Sequence, residues 1–122
     1  MAIVIARSIL KTEFGRVGLT ADDEAVLRRT AKSAHAVFIR GEGLPPETRL
    51  VKVYGTAPGG ARRVVYLAQT SDDDLLLLFF RSKNDAVGKN VTLKNPVFKK
   101  ALKKHLGMLK QDLENGNYEI LE

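Results

Sequence analysis

The chain has 122 residues, of which 44% are hydrophobic, so it is long enough for one globular domain with a buried core and too short for two. It contains no cysteine, which excludes disulfide bonds, thiolate zinc sites and a cysteine nucleophile. The 20 Lys and Arg residues against 14 Asp and Glu residues give a formal charge of +6, which favours a polyanionic partner.

The N-terminal residues predict a strand followed by a helix. Ile3 to Ala6 form a short β-branched run that is typical of a strand, and Ser8 is well placed to cap a helix that continues to about Val17. The apolar run is too short for a signal-peptide core or a membrane span. We therefore expect a cytoplasmic protein with no membrane partner.

A second helix is predicted to begin after Thr20, because carboxylates in the first turn favour the positive end of the helix dipole. We expect this helix to end by Gly41 and Gly43. The residues predicted to share its apolar face are Leu27, Ala31, Ala34 and Phe38.

The middle of the chain predicts a three-stranded meander, formed by Thr48 to Tyr54, Arg62 to Gln69 and Leu75 to Arg81. The predicted turns are Gly55 to Gly60 and Ser71 to Asp74. In the first strand, alternation places Leu50, Lys52 and Tyr54 on one face. The third strand begins LLLLFF without alternation, which favours a central strand buried on both faces.

The clearest element is the last helix, which Asn95 and Pro96 begin and Asn115–Gly116 ends. Its apolar stripe consists of Phe98, Leu102, Leu106, Leu109 and Leu113. The tail Asn117 to Glu122 is compatible with a short strand. The predicted fold class is α+β, with two N-terminal helices and one C-terminal helix packed on a small, mainly antiparallel sheet.

Charge is unevenly distributed along the chain. Acidic residues gather in Asp22 to Glu24, in Asp72 to Asp74 and in the C-terminal tail, whereas Lys83 to Lys110 is strongly basic. Such segregation favours a binding face for a polyanion.

The stretch Leu50 to Asn90 resembles the centre of RelE/HigB-type toxins of bacterial toxin–antitoxin pairs, within the RelE/ParE superfamily. It has a basic strand, a glycine-rich loop, a strand with Arg63 and Tyr66 three residues apart, an acidic turn, an apolar strand and the basic exit Arg81 to Lys83. The preceding GLTADDEAV is also similar to the helical region that opens those toxins. The resemblance implies that residues 1–122 form a single RelE-like toxin domain.

The resemblance further implies a ribosome-dependent mRNA endoribonuclease that inhibits translation, with mRNA, the ribosome and a cognate antitoxin as partners. Cleavage by the ribose 2′-hydroxyl requires proton transfer and stabilisation of negative charge on the phosphate. Arg63 and Arg81 are predicted phosphate clamps, because a guanidinium matches two phosphate oxygens. Lys52 is the predicted base, and Lys83 completes the predicted catalytic set. The predicted RNA-binding residues are Tyr54, Arg62, Lys89, Lys94, Lys99 and Lys103.

One departure concerns the segment after the third meander strand, where many of these toxins have a tyrosine or histidine. Asn84 to Asn90 contains neither, which weakens the prediction of cleavage. We expect no cofactor and no metal site, since His35 and His105 lie on separate predicted helices without ligand-spaced partners. The Asp72 to Asp74 run is interpreted as a hairpin turn.

Three alternatives fit the same residues. A ParE-like protein would keep the fold and poison a topoisomerase, and a non-catalytic double-stranded RNA-binding module shares the arrangement of three strands before a basic helix. An ordinary structural protein with a basic surface is the third. In that case Lys52, Arg62 and Arg63 are simply strand residues that border solvent.

Overall fold

The computed structural model of the protein describes residues 2–32, 37–39, 44–69 and 74–122, with all of their side chains except those of 37–39. A 3-10 turn, Gly15–Val17, follows the first helix. The other elements are β1 (Ile3–Ala6), α1 (Arg7–Phe14), α2 (Ala21–Ala31), β2 (Val37–Ile39), β3 (Thr48–Ala57), β4 (Gly60–Gln69), β5 (Leu75–Ser82), α3 (Pro96–Glu114) and β6 (Tyr118–Leu121).

The strands form one mixed sheet in the order β2-β3-β4-β5-β1-β6. The pairs β2–β3, β3–β4, β4–β5 and β1–β6 are antiparallel, whereas β1 is parallel to β5. The predicted α+β class is confirmed, and the C-terminal tail, for which a short strand was one possibility, forms β6. The sheet is not purely antiparallel, because the first strand enters between β5 and the last strand.

The start of α1 differs from the prediction, since Ser8 does not cap it. The helix follows β1 directly, and its N-cap residue Ala6 makes no side-chain capping bond. The backbone N–H of Ser8 instead donates to Oδ2 of Asp112 in α3, at 2.8 Å. A carboxylate from a distant helix thus satisfies a donor that a helix normally leaves open at its first turn. The helix ends at Phe14, before the predicted end near Val17, because Gly15 follows it with a φ of 66°.

The predicted start of α2 is confirmed and its predicted end is wrong. Thr20 accepts from the Asp23 backbone N–H, and the Asp23 side chain accepts from the Thr20 N–H, so the two form a capping box. The helix ends at Ala31, and Phe38 belongs to β2, where it pairs with Val51. The apolar segment Val37–Ile39 satisfies its backbone hydrogen-bonding groups by pairing with β3 as an added strand. The predicted positions Ala34, Gly41 and Gly43 lie outside the described residues.

The meander is confirmed, with β3 extending beyond its predicted end to Ala57. In β5 the residues from Leu76 to Phe80 are all buried, as expected for a central strand. The register shifts so that Tyr66 pairs with Leu77 and Val65 with Phe79, which leaves Leu78 as the extra residue of a β-bulge. Of the predicted turn at residues 71–74, only Asp74 is described.

The core has two layers, one on each face of the sheet. On one face α2 packs Val26 and Leu27 against the strands, and the buried Tyr66 hydroxyl bonds to Thr30 and to the Leu27 carbonyl. On the other face α3 packs its stripe, with Phe98, Leu102 and Leu109 buried and the other two leucines partly buried. Each fully buried side chain contributes about 1.5–3 kcal/mol, so α3 is firmly anchored. The two faces are called the α2 face and the α3 face below.

Candidate nucleic-acid interface

Three of the residues predicted for the site lie in one row across the sheet. Tyr54 in β3 is paired with Arg63 in β4, and Arg63 is paired with Arg81 in β5. Because side chains alternate along a strand, and because Val65 and Phe79 belong to the α3 layer, all three residues project from the α3 face. Adjacent strands are about 4.7–4.9 Å apart, so these three side chains are neighbours on one region of the sheet.

Within the row, the Arg63 guanidinium lies over the Tyr54 ring, with its carbon 3.9 Å from the ring centroid. Tyr54 is 58% exposed although it is a large hydrophobic residue. A cation over an exposed aromatic ring contributes about 0.5–1 kcal/mol, which is enough to bias the orientation of both groups. Among the described residues no carboxylate pairs with Arg63, so its charge is available to a ligand.

Lys52 borders this stack on the same face of β3. Its Nζ is 5.7 Å from the centroid of the Tyr54 ring and donates to the backbone carbonyl of Val91 at 3.3 Å. The carbonyl holds the ammonium group beside the segment that precedes α3. Lys52, Tyr54 and Arg63 together form what we call the stacking face.

Arg81 is in the row, but its guanidinium already forms ion pairs with two carboxylates of the protein. Its Nε and Nη2 donate to the two carboxylate oxygens of Glu13 at 2.7 and 2.8 Å, and its Nη1 contacts Asp85 at 3.3 Å. The hydrogen bonds that Arg81 donates to Glu13 raise the pKa of Arg81, against the opposing effect of burial. A phosphate at Arg81 has to compete with these two groups, which is not the case at Arg63.

Glu13 is a site residue that the sequence did not reveal. Its side chain is 0% exposed and receives four contacts: two from Arg81, one from the Phe80 backbone N–H at 2.8 Å and one from Nε2 of His105 at 3.0 Å. Burial raises the pKa of Glu13, but the hydrogen bonds from His105, Arg81 and Phe80 together lower it below its ordinary value. These partners are 67 to 92 residues away in sequence, so no local pattern could have identified them.

Asp85 organises the segment after β5, in which this chain has neither the tyrosine nor the histidine that many of the similar toxins have there. Its Oδ2 accepts from the backbone N–H groups of Val87 and Gly88, at 2.8 and 3.2 Å. Burial raises the pKa of Asp85, but these two bonds and Arg81 outweigh it and lower the pKa. A Cβ at Gly88 would lie well inside contact distance of the Ser82 carbonyl oxygen. The segment is therefore packed against the end of β5.

No protein-family model, curated protein or solved structure matches this chain. The resemblance to RelE/HigB-type toxins accordingly stays a prediction from the sequence. The chemistry open to the stacking face is that of its own groups: an exposed ring for a base, and a guanidinium and an ammonium for phosphate oxygens.

The remaining predicted residues are spread over other surfaces. Arg62 projects from the α2 face, opposite to Arg63, and its Nη1 donates to the Ala61 carbonyl at 3.3 Å. Lys83 follows β5, where its backbone N–H donates to the same carbonyl oxygen at 3.2 Å. Four further predicted lysines have exposed side chains: Lys89, Lys94, Lys99 and Lys103. Lys99 and Lys103 border an apolar groove of about 560 Å³ along α3.

His105 is buried in the contacts with Glu13, and His35 lies outside the described residues. In the part of the chain that the structure describes, no cluster of three His, Asp or Glu side chains could hold a metal ion. None of the helices in this part is both long and apolar enough to cross a membrane.

Proposed function

We propose that the protein binds single-stranded RNA on the stacking face and acts as a RelE/HigB-type toxin, a ribosome-dependent mRNA endoribonuclease that inhibits translation. The observation that supports this best is the Arg63 guanidinium stacked on the half-exposed ring of Tyr54. The proposed partners are mRNA, the ribosome and a cognate antitoxin.

The stacking face suits an unpaired nucleotide. A base that stacks on an aromatic side chain gains about 1–3 kcal/mol, and only a base outside a duplex offers its face in this way. The Arg63 guanidinium, which lies over the ring, can donate two hydrogen bonds to the phosphate of the same nucleotide. This favours single strands over duplex RNA, and so speaks against the double-stranded RNA-binding alternative.

For cleavage, we assign stabilisation of the phosphate charge to Arg63 and Lys52. Both groups lie beside Tyr54, where the phosphate of a stacked nucleotide would be placed. Arg81 contributes a positive charge that Glu13 and Asp85 largely balance, so its part in catalysis is smaller than the sequence suggested. Preorganised donors of this kind typically account for about 10²- to 10³-fold in rate.

The proposal is tested by binding a fluorescent single-stranded RNA to the protein and to the variants Arg63→Ala and Arg62→Ala. The two variants remove the same charge from adjacent positions of β4, but from opposite faces of the sheet. We expect Arg63→Ala to weaken binding at least tenfold and Arg62→Ala to change it little. Equal losses would show that only net charge matters and would contradict the assignment to the α3 face.

Toxin activity is tested separately from binding. Expression of the protein in bacteria should arrest growth, and purified protein should cut mRNA on translating ribosomes, with Arg63→Ala reducing both effects. Binding without cleavage or arrest would reject the nuclease and retain the RNA-binding face. Inhibition of gyrase supercoiling without RNA cleavage would favour the ParE-like alternative.

A further inference from the structure

An apolar groove with a rim of lysines lies along one side of α3. It has a volume of about 560 Å³, and its apolar lining includes the buried Leu102 and the partly buried Leu93 and Leu106. Three lysines with exposed side chains also line it: Lys99, Lys100 and Lys103. We call it the α3 groove. At Leu106 it meets a second apolar groove of about 600 Å³, which continues to Leu113 near the end of the helix.

The rim of the α3 groove is positively charged and lacks a counter-charge. In the described part of the chain no carboxylate pairs with any of the three rim lysines, and no Asp or Glu side chain lines the groove. Apolar surface surrounded by polar residues is typical of an interaction site. Because potentials across an interface are complementary, the rim favours a partner that carries negative charge beside apolar groups.

The lining of the α3 groove favours a protein partner over RNA. A single strand of RNA stacks its bases on aromatic side chains, as the exposed ring of Tyr54 allows on the stacking face. The described residues that line the α3 groove include no aromatic side chain, and its apolar part is aliphatic. Leucine side chains gain from burial against other apolar side chains, which a nucleic acid backbone does not offer. The negative charge is therefore assigned to the Asp and Glu residues of a protein.

The backbone of the partner segment must satisfy its own hydrogen bonds in this groove. Except for Leu93, the lining residues belong to α3, whose backbone groups beyond the first turn bond within the helix. An extended peptide would leave its N–H and C=O groups without partners, whereas an α-helix pairs them internally. Leu102 and Leu106 are four residues apart and form a ridge on which a second helix can pack. From Pro96 to Leu113, α3 rises about 26 Å, which matches about 17 residues of such a helix.

We infer that the α3 groove is the docking site of an acidic amphipathic helix of a partner protein. Apolar residues of that helix, at spacings i, i+3, i+4 and i+7, pack on Leu102 and Leu106. Asp or Glu residues beside this stripe pair with Lys99 and Lys103. This role of the α3 groove goes beyond the proposed function, which rests on the stacking face.

A synthetic peptide tests the chemistry of the docking site. The probe is a fluorescent peptide of about 17 residues with leucine at the spacings given above and glutamate on both flanks, and its binding to the full protein is measured by fluorescence anisotropy. One control peptide has lysine in place of glutamate, and another has the same composition in an order without an apolar stripe. We expect the acidic peptide to bind at least about tenfold more tightly than either control, and less tightly as salt is raised. Equal binding of the three peptides, or no binding of the acidic one, would overturn the proposal.

Two neighbouring lysines of α3 provide matched variants. Lys103 lines the α3 groove, whereas Lys104 is equally an exposed residue but lines neither groove. We expect Lys103→Glu to weaken binding of the acidic peptide about tenfold and Lys104→Glu to change it by less than about threefold. Equal losses would mean that only net charge matters and would contradict the assignment to the groove. If Lys103→Glu does not fold, Lys103→Gln and Lys104→Gln make the same comparison by removing the charge.

RNA binding separates this docking site from the stacking face. We expect Arg63→Ala to leave binding of the acidic peptide unchanged, and Lys103→Glu to weaken binding of a single-stranded RNA no more than Lys104→Glu does. If Lys103→Glu reduces RNA binding and leaves peptide binding intact, the α3 groove serves RNA and the docking site is rejected. A protein that binds the acidic peptide in the groove but no RNA would reject the proposed function alone.

Discussion

Replacing Glu13 with alanine would remove the acceptor that joins α1 to β5 and α3. Loss of one partner of a buried ion pair costs about 3–5 kcal/mol, because the other charge is left without compensation. Arg81 would keep Asp85 and is 23% exposed, which lowers the cost, whereas the Phe80 N–H would lose its acceptor, which adds about 1–3 kcal/mol. We therefore expect Glu13→Ala to reduce the free energy of unfolding by about 3–5 kcal/mol, a large part of the 5–15 kcal/mol typical of a domain.

Urea denaturation at neutral pH measures this loss, and Glu24→Ala provides a matched control. Glu24 pairs with Arg28 at 3.5 Å on the surface of α2, where both side chains are partly exposed. Removing such a pair changes stability by about 0–1 kcal/mol. If Glu13→Ala were no more destabilising than Glu24→Ala, the contacts of Glu13 would be energetically unimportant, and the reasoning on the buried network would be refuted.

Three further results are expected. Gly88→Ala should destabilise the fold by about 1–3 kcal/mol, because the added Cβ would overlap the Ser82 carbonyl. Gly107 lies in α3 with open space where a Cβ would be added, so Gly107→Ala should stabilise the fold by up to about 1 kcal/mol. Thermal melts of the two variants test both values. The contacts that lower the pKa values of Glu13 and Asp85 contribute their full stabilisation above about pH 4.5, where both carboxylates are ionised in the folded and the unfolded chain. This stabilisation should be lost as the pH falls through the lowered pKa values, and urea titrations at several pH values would detect the loss. Tyr54→Phe should retain most of the affinity for single-stranded RNA while Tyr54→Ala loses about 1–3 kcal/mol in fluorescence titrations, and equal losses would show that stacking is not the contribution of the ring.

Local signals in the sequence predicted those elements whose causes are also local. The capping residues of α2 and α3, the apolar stripe of α3 and the buried strand β5 are all where these signals placed them. The end of α2 was predicted wrongly because the segment Val37–Ile39 satisfies its backbone hydrogen-bonding groups by pairing with β3, a strand that lies further along the chain. The parallel pairing of β1 with β5 could not be predicted, since it depends on residues about 70 positions apart.

The candidate site was predictable to the same extent. Alternation along β3 correctly placed Lys52 and Tyr54 on one face. Alternation along β4 implies in the same way that Arg62 and Arg63 project to opposite faces, although the sequence prediction assigned both of them to RNA. The ion pair of Arg81 with Glu13 was not predictable, because Glu13 precedes Arg81 by 68 residues and lies in a helical segment without any distinguishing pattern. The meeting of these two charges is a product of the tertiary structure.

The position of β1 has a consequence for how the protein is made. Among the described strands of the sheet, β1 is the first to be synthesised, yet it pairs with β6, where Ile3 is opposite Leu121. Closing a loop of that length is entropically unfavourable, and contacts so distant in sequence slow folding. While the chain is being synthesised, β1 has neither neighbour until β5 emerges, and it stays an edge strand until β6 follows. We therefore expect the nascent chain to remain incompletely folded until residue Leu121 has left the exit tunnel, with the α1 contacts to α3 among the last to form.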